Sequence, residues 1–79
     1  DDTEVVEVVV RPEAPIVGES LGEAREEGIL GEDVVVVSVE RDGETLTPGD
    51  DTVLSPDDVV TLLPRDVSTE DLLEIFVGE

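Results

Sequence analysis

The sequence predicts a small α+β domain: a sheet of βαββββα order with two helices covering it. Three observations predict this. Valine-rich runs recur at strand length, two segments open on serine with helical spacing behind it, and Pro, Gly and Asp clusters separate the runs. A sheet with one apolar face needs a second layer to bury it, and the two helical segments supply that layer.

Val5 to Val10 reads as the first strand. Valine is stiff at χ1 and suits a pleated surface. Val6, Val8 and Val10 share one face, with Val5, Glu7 and Val9 on the other. Arg11-Pro12 ends the strand, because proline has no amide to give to a ladder. Pro12 to Gly18 follows as an extended loop.

Ser20-Leu21-Gly22-Glu23 has the form of a capping box, in which the serine hydroxyl takes the Glu23 amide and the glutamate reaches back. The helix it starts, Leu21 to Glu27, is short, and Gly28 is its left-handed stop. Gly22 inside that helix costs about 1 kcal/mol against alanine, so the helix depends on packing.

Val34 to Glu40 is the second strand, apolar on both faces at first, as a central strand should be. Val34 and Val36 alternate with Val35, Val37 and Val39, so one set faces the core and the other a partner. Arg41-Asp42-Gly43-Glu44 is a hairpin turn, Asp-Gly supplying the positive φ of type I′. Glu44 to Thr47 returns, Thr52 to Leu54 forms a brief strand, and Val59 to Leu63 is the last, closed by Pro64. Ser68 then caps a final helix with Leu72, Leu73, Ile75 and Phe76 on its apolar face. Phe76, the lone aromatic, reads as a core plug, with ligand stacking as the alternative.

Residues 1–79 fit a single domain, either a piece of a longer chain or a small stand-alone protein. A domain this short buries only roughly 60–65% of its unfolded surface, so a partner would help it. Charge is the strongest compositional signal. Twenty-three carboxylates face four arginines (Arg11, Arg25, Arg41, Arg65), with no lysine, for a net charge of -19. The carboxylates are spread along the chain rather than gathered in a tail, and 38% of residues are apolar, which argues against disorder. Doublets such as Glu26-Glu27 and Asp50-Asp51 repel at a Debye length of ~8 Å and much less at the ~3 Å of 1 M salt. The pattern is that of a cytoplasmic protein of an extreme halophile. The same charge disfavours a nucleic-acid polymer as partner, since phosphate affinity needs a basic face.

Enzyme chemistry has little to work with. The chain has no cysteine and no histidine, which removes disulfides, thiolate metal sites and imidazole bases. Ser20 and Ser68 are accounted for as caps, and Ser38 and Ser55 have no histidine or lysine base. Asp50-Asp51 and Asp57-Asp58 offer oxygen ligands of the Ca²⁺ or Mg²⁺ type but no EF-hand spacing, and a solvated acidic surface is the better account of them. No phosphate-cradling glycine motif occurs. The sequence is that of a non-catalytic domain.

Taken together, the stretch Pro15-Ile16-Val17-Gly18-Glu19-Ser20-Leu21-Gly22-Glu23, the strand end Val39-Glu40-Arg41-Asp42-Gly43, and Thr47-Pro48 followed by Pro56-Asp57-Asp58-Val59-Val60 resemble the TrkA-C (RCK-C) domain. Where that family has Pro-Gly-Asp before its last strand, this chain has Pro56-Asp57-Asp58. The resemblance implies a homodimeric regulatory module of a potassium (cation) transport system, without catalysis or a metal. It would work in the cytoplasm, at the inner face of the membrane, on a membrane-embedded channel or transporter subunit. The ligand it implies is cyclic di-AMP, held with Arg25 as anion contact and Ile29, Val34 and Val35 as apolar walls. For Arg25, a surface ion pair with a neighbouring glutamate is the alternative. For the domain, the alternative is a structural dimerisation module with no ligand; a metal-responsive domain is the third reading.

Overall fold

A computed structural model describes residues 5–78. The ends of the expected domain, residues 1–4 and 79, lie outside the described residues. Six elements follow in the order β1 (Val6–Val9), α1 (Leu21–Glu26), β2 (Val34–Arg41), β3 (Glu44–Leu46), β4 (Val59–Pro64) and α2 (Thr69–Phe76). The strands form one sheet in the order β1-β4-β2-β3, every neighbouring pair antiparallel. β1 and β2 therefore run parallel with β4 between them, and α1 lies on the crossover, a split βαβ arrangement.

The expected fourth strand, Thr52 to Leu54, is not part of the sheet. Only Val53 makes a bridge, to Ser20 at the start of α1. The reason is the demand for acceptors at that helix end. The Leu21 amide donates to the Thr52 carbonyl (2.8 Å) and the Gly22 amide to the Asp50 carbonyl (2.9 Å). The first amides of any helix lack intrahelical partners, and here the 50–53 segment supplies them. It is a capping strip rather than a strand.

The capping box forms as expected, with Glu23 N donating to Ser20 Oγ and Ser20 N to Glu23 Oε1, both at 3.1 Å. Gly28 ends α1 at φ 82°. Its amide bonds to Arg25 O, and the Ile29 amide to Ala24 O, the paired bonds of a Schellman motif. Asp42 (φ 54°) and Gly43 (φ 82°) are both left-handed, as a type I′ hairpin requires. Ser68 caps α2 through the Asp71 amide at 3.1 Å.

The register decides which face of each strand is buried. Val36 and Val6 both pair with Leu62, and Val39 and Val8 both pair with Val60. These positions face the core with Val10, Ile16, Leu21, Ala24, Leu30, Val34, Leu54, Leu72 and Phe76. Between Val36 and Ser38 the β2–β4 register shifts by one residue. That bulge at Val37 corrects the expected alternation: Val39 leaves the partner-facing set and is fully buried. Val35 and Val37, with Val5 and Val9, remain exposed. Phe76 is fully buried, as a core plug should be.

Candidate functional site

Three short segments meet beside α1. Leu21 and Arg25 come from α1, Val36 from β2, and Pro48, Gly49 and Asp50 from the strip that caps the helix. They line an open pocket of about 110 Å³. Each wall has a local cause. Leu21 and Arg25 are four residues apart and so lie on one face of α1. Val36 stands just before the bulge. Gly49 turns the chain through its amide, which donates to Thr52 Oγ1 at 2.8 Å.

Gly22 makes the close approach of the strip possible. A β-carbon at that position would lie 3.1 Å from Asp50 Cβ and 3.2 Å from the Asp50 carbonyl oxygen. The residue that costs the helix propensity is the one that lets its amide reach that carbonyl.

Arg25 is half-buried and its guanidinium is engaged. Nη1 donates to the Gly31 carbonyl (2.9 Å) and Nη2 to the Val34 carbonyl (3.1 Å). The ion pair with a neighbouring glutamate is thus replaced by two carbonyl contacts that close the loop between α1 and β2. Ile29 packs half-buried against the core, and the Val34 side chain is buried within it, so Val34 offers this region its carbonyl only. Val35 points away from Val36, to the opposite face of the sheet. The structure therefore joins Arg25 to Leu21, Val36 and the 48–50 segment, and separates it from the Val35 side chain. Leu21, Val36, Pro48 and Gly49 were not singled out from sequence as site residues, and Asp50 was considered only as an oxygen ligand for a metal ion. Their only signal was the crowding of Gly22 among residues that otherwise favour a helix.

A second polar feature sits at the far end of the strip. Arg41 donates to Asp58 from Nε (2.9 Å) and Nη2 (2.7 Å), and its Nη2 also reaches the Val53 carbonyl at 2.9 Å. The Ser55 amide donates to the same Asp58 oxygen at 2.8 Å. The Arg41 hydrogen bond holds the Asp58 carboxyl below its ordinary range, with the Ser55 amide helping and burial opposing. Asp58 is thereby committed to Arg41, which removes it from the divalent-cation pair considered with Asp57. Among the described residues, no group of three or more acidic side chains is placed to hold a metal ion, and no helix is long and apolar enough to cross a membrane.

The TrkA-C domain model matches residues 5–77. The chain belongs to the TrkA-C domain family. TrkA-C (RCK_C) domains are regulatory modules of potassium-transport systems, and the family is non-catalytic. The fold is shared with solved structures of such domains. One is the "RCK_C domain dimer of S. agalactiae BusR in complex with c-di-AMP", 17% identical, covering 100% of this chain and 96% of that one at a TM-score of 0.76. Another is the RCK C domain of the potassium transport protein KtrA in complex with cyclic diadenosine monophosphate. It is 18% identical and covers 91% of this chain and 78% of that one, at a TM-score of 0.66. A third is S. agalactiae BusR with its busA-promotor DNA, 19% identical, TM-score 0.76, covering 98% of this chain. This TrkA-C domain spans only 38% of that longer BusR chain. No curated protein matches the chain.

Membership explains one local departure. Asp57 lies at φ 75°, in the left-handed region. A glycine there, as in the Pro-Gly-Asp that Pro56-Asp57-Asp58 replaces before the last strand, would adopt this conformation freely, whereas aspartate adopts it at some cost.

Proposed function

We propose that this TrkA-C domain is the ligand-sensing part of a potassium-transport system. It would act as a homodimer on a membrane-embedded channel or transporter subunit, in the cytoplasm at the inner face of the membrane. The ligand is cyclic di-AMP. The observation that carries the reading is the pocket between Arg25, Leu21, Val36 and the 48–50 segment. At about 110 Å³ it is smaller than the roughly 300–1,000 Å³ of a complete small-molecule site. One subunit can therefore hold part of a dinucleotide, and a symmetric ligand fits two such half-sites brought together. BusR and KtrA domains of this fold have been solved with cyclic di-AMP, which supports the choice of ligand. Arg25 lines the pocket and is tied to the Val34 carbonyl, while Ile29, Val34 and Val35 stand outside the lining.

The net charge of -19 supports a halophilic cytoplasm, where concentrated salt screens the carboxylates. It also argues against direct DNA contact by this domain.

One observation favours the alternative of a dimerisation module with no ligand. The Arg25 guanidinium already serves two backbone carbonyls. Binding an anion would require it to share or release them.

A thermal melt in ~2–3 M KCl, where the Debye length is below ~3 Å, tests the reading with and without cyclic di-AMP. Native-state binding raises the melting temperature in a dose-dependent way, and Arg25→Ala removes the rise. A folded, dimeric chain with no shift would turn the assignment to the structural module.

A further inference from the structure

We propose that the Arg41–Asp58 ion pair is a positioning device for the pocket, holding the 48–54 strip in place so that Pro48, Gly49 and Asp50 can form one wall. The ligand arm of this inference rests on the proposed function. The positioning itself does not.

One guanidinium ties three segments: the end of β2, the strip at Val53, and the start of β4 at Asp58. From Val53 the strip runs back along α1 through Thr52, which accepts from Leu21 N, and Asp50, which accepts from Gly22 N. The Gly49 amide closes on Thr52 Oγ1. Hydrogen bonds at Val53, Thr52, Asp50 and Gly49 thus fix the chain at successive points from Arg41 to the pocket wall. The strip has little else to hold it. Between Thr47 and Asp57, Leu54 alone has a buried side chain. Segments with few buried apolar contacts open locally at low free energy. The sheet, by contrast, has its own apolar pairs at Val36–Leu62 and Val39–Val60. Releasing Arg41 should therefore loosen the strip before it loosens the fold.

The Arg41–Asp58 pair is remote from the pocket, since neither residue lines it. Its effect on a ligand is exerted through the strip, which makes Arg41 and Asp58 positioning residues.

The test is amide hydrogen exchange on the whole chain in concentrated KCl without ligand, followed by cyclic di-AMP titration. In Arg41→Ala, exchange at the Leu21, Gly22 and Gly49 amides should rise at least tenfold, while Val60 and Leu62 in the sheet centre stay protected. Arg41→Lys is the second variant. It keeps the charge beside Asp58 but cannot reach both Asp58 oxygens and the Val53 carbonyl together, so it should show the same selective pattern in a folded chain. Affinity for cyclic di-AMP should fall about tenfold in parallel. A uniform rise across strip and sheet in both variants would make the pair a plain stabiliser and overturn the proposal. So would unchanged exchange at the three strip-facing amides. If the wild-type chain binds no cyclic di-AMP, the proposed ligand fails, and the exchange pattern still decides the positioning.

Discussion

An alanine at position 22 sets two physical effects against each other. In an exposed helix the change from glycine gains about 0.8–1 kcal/mol of helix propensity. Here the added methyl group would sit 3.1 Å from Asp50 Cβ and 3.2 Å from the Asp50 carbonyl oxygen. The carbonyl is the worse neighbour. It is backbone, it accepts the Gly22 amide at 2.9 Å, and moving it breaks the cap on α1. Overpacking of this kind costs typically 1–3 kcal/mol. Setting about 2 kcal/mol of strain against about 1 kcal/mol of propensity leaves a net loss near 1 kcal/mol. For a domain of this size that lowers the melting temperature by roughly 4–8 °C. Gly49→Ala is the control. It lies in the same strip, has nothing within 4 Å of its missing β-carbon, and is not left-handed. It should be neutral or gain up to about 1 kcal/mol by stiffening the unfolded chain. Thermal unfolding of both variants in concentrated KCl decides the matter. A Gly22→Ala chain that melts higher than wild type would show that helix propensity outweighs the contact, and the close packing of strip on helix would be refuted.

Three other expectations follow from the same geometry. Asp57→Gly relieves a left-handed aspartate at φ 75° and should stabilise the domain by about 0.5 kcal/mol, read as a higher midpoint in denaturant; a lower midpoint would mean that the aspartate side chain contributes more than the strain costs. Ser68→Ala removes the side-chain acceptor of the Asp71 amide and should cost about 1 kcal/mol, with exchange rising at the start of α2. In a pH series two carboxyls act in opposite directions. Glu19 is raised above its ordinary value by a hydrogen bond with Glu27, with burial and the charges of Glu27 and Glu23 adding to it. The strain of ionising it is present at neutral pH and is relieved as pH falls through the raised value, so Glu19→Gln should melt higher than wild type at neutral pH. Asp58 is lowered, so its contribution is present above the ordinary carboxylate range and is lost as pH falls through the depressed value. Asp58→Asn should accordingly flatten the acid limb below about pH 4, and an unchanged acid limb would show that the pair carries no linkage.

Elements with local causes were legible in the sequence. The Ser20 and Ser68 caps, the Gly28 stop and the Asp42-Gly43 turn each depend on one or two residues whose chemistry is visible in isolation. The burial of Phe76 followed from helical spacing. Three features were not legible, because each depends on residues distant in sequence. The bulge at Val37 exists only relative to Leu62 and Thr61 of β4, and four consecutive valines carry no mark of a register shift. Thr52 to Leu54 resembles a strand because Thr and Val are β-branched residues lying between two turns, and its diversion to α1 is set by helix amides about thirty residues earlier. For the site, Arg25 was reached through the family resemblance and not from the residues alone. The Pro48–Asp50 wall could not be picked out, because its residues are ordinary turn formers.

The edge of β2 carries a further consequence. β3 pairs only with residues 39–41, so among the described residues no strand lies beside residues 34–38 on the side away from β4. A valine-rich edge of that length is a template for recruiting strands from other molecules. Concentrated salt weakens the mutual repulsion of acidic chains, so charge alone protects this edge least at high ionic strength. What remains is geometric. The bulge at Val37 breaks the straight ladder an incoming strand would need, and Arg25 occupies the Val34 carbonyl. Loss of Arg25 would then expose a route to fibrils as well as alter a pocket, and that route would be most open at high ionic strength.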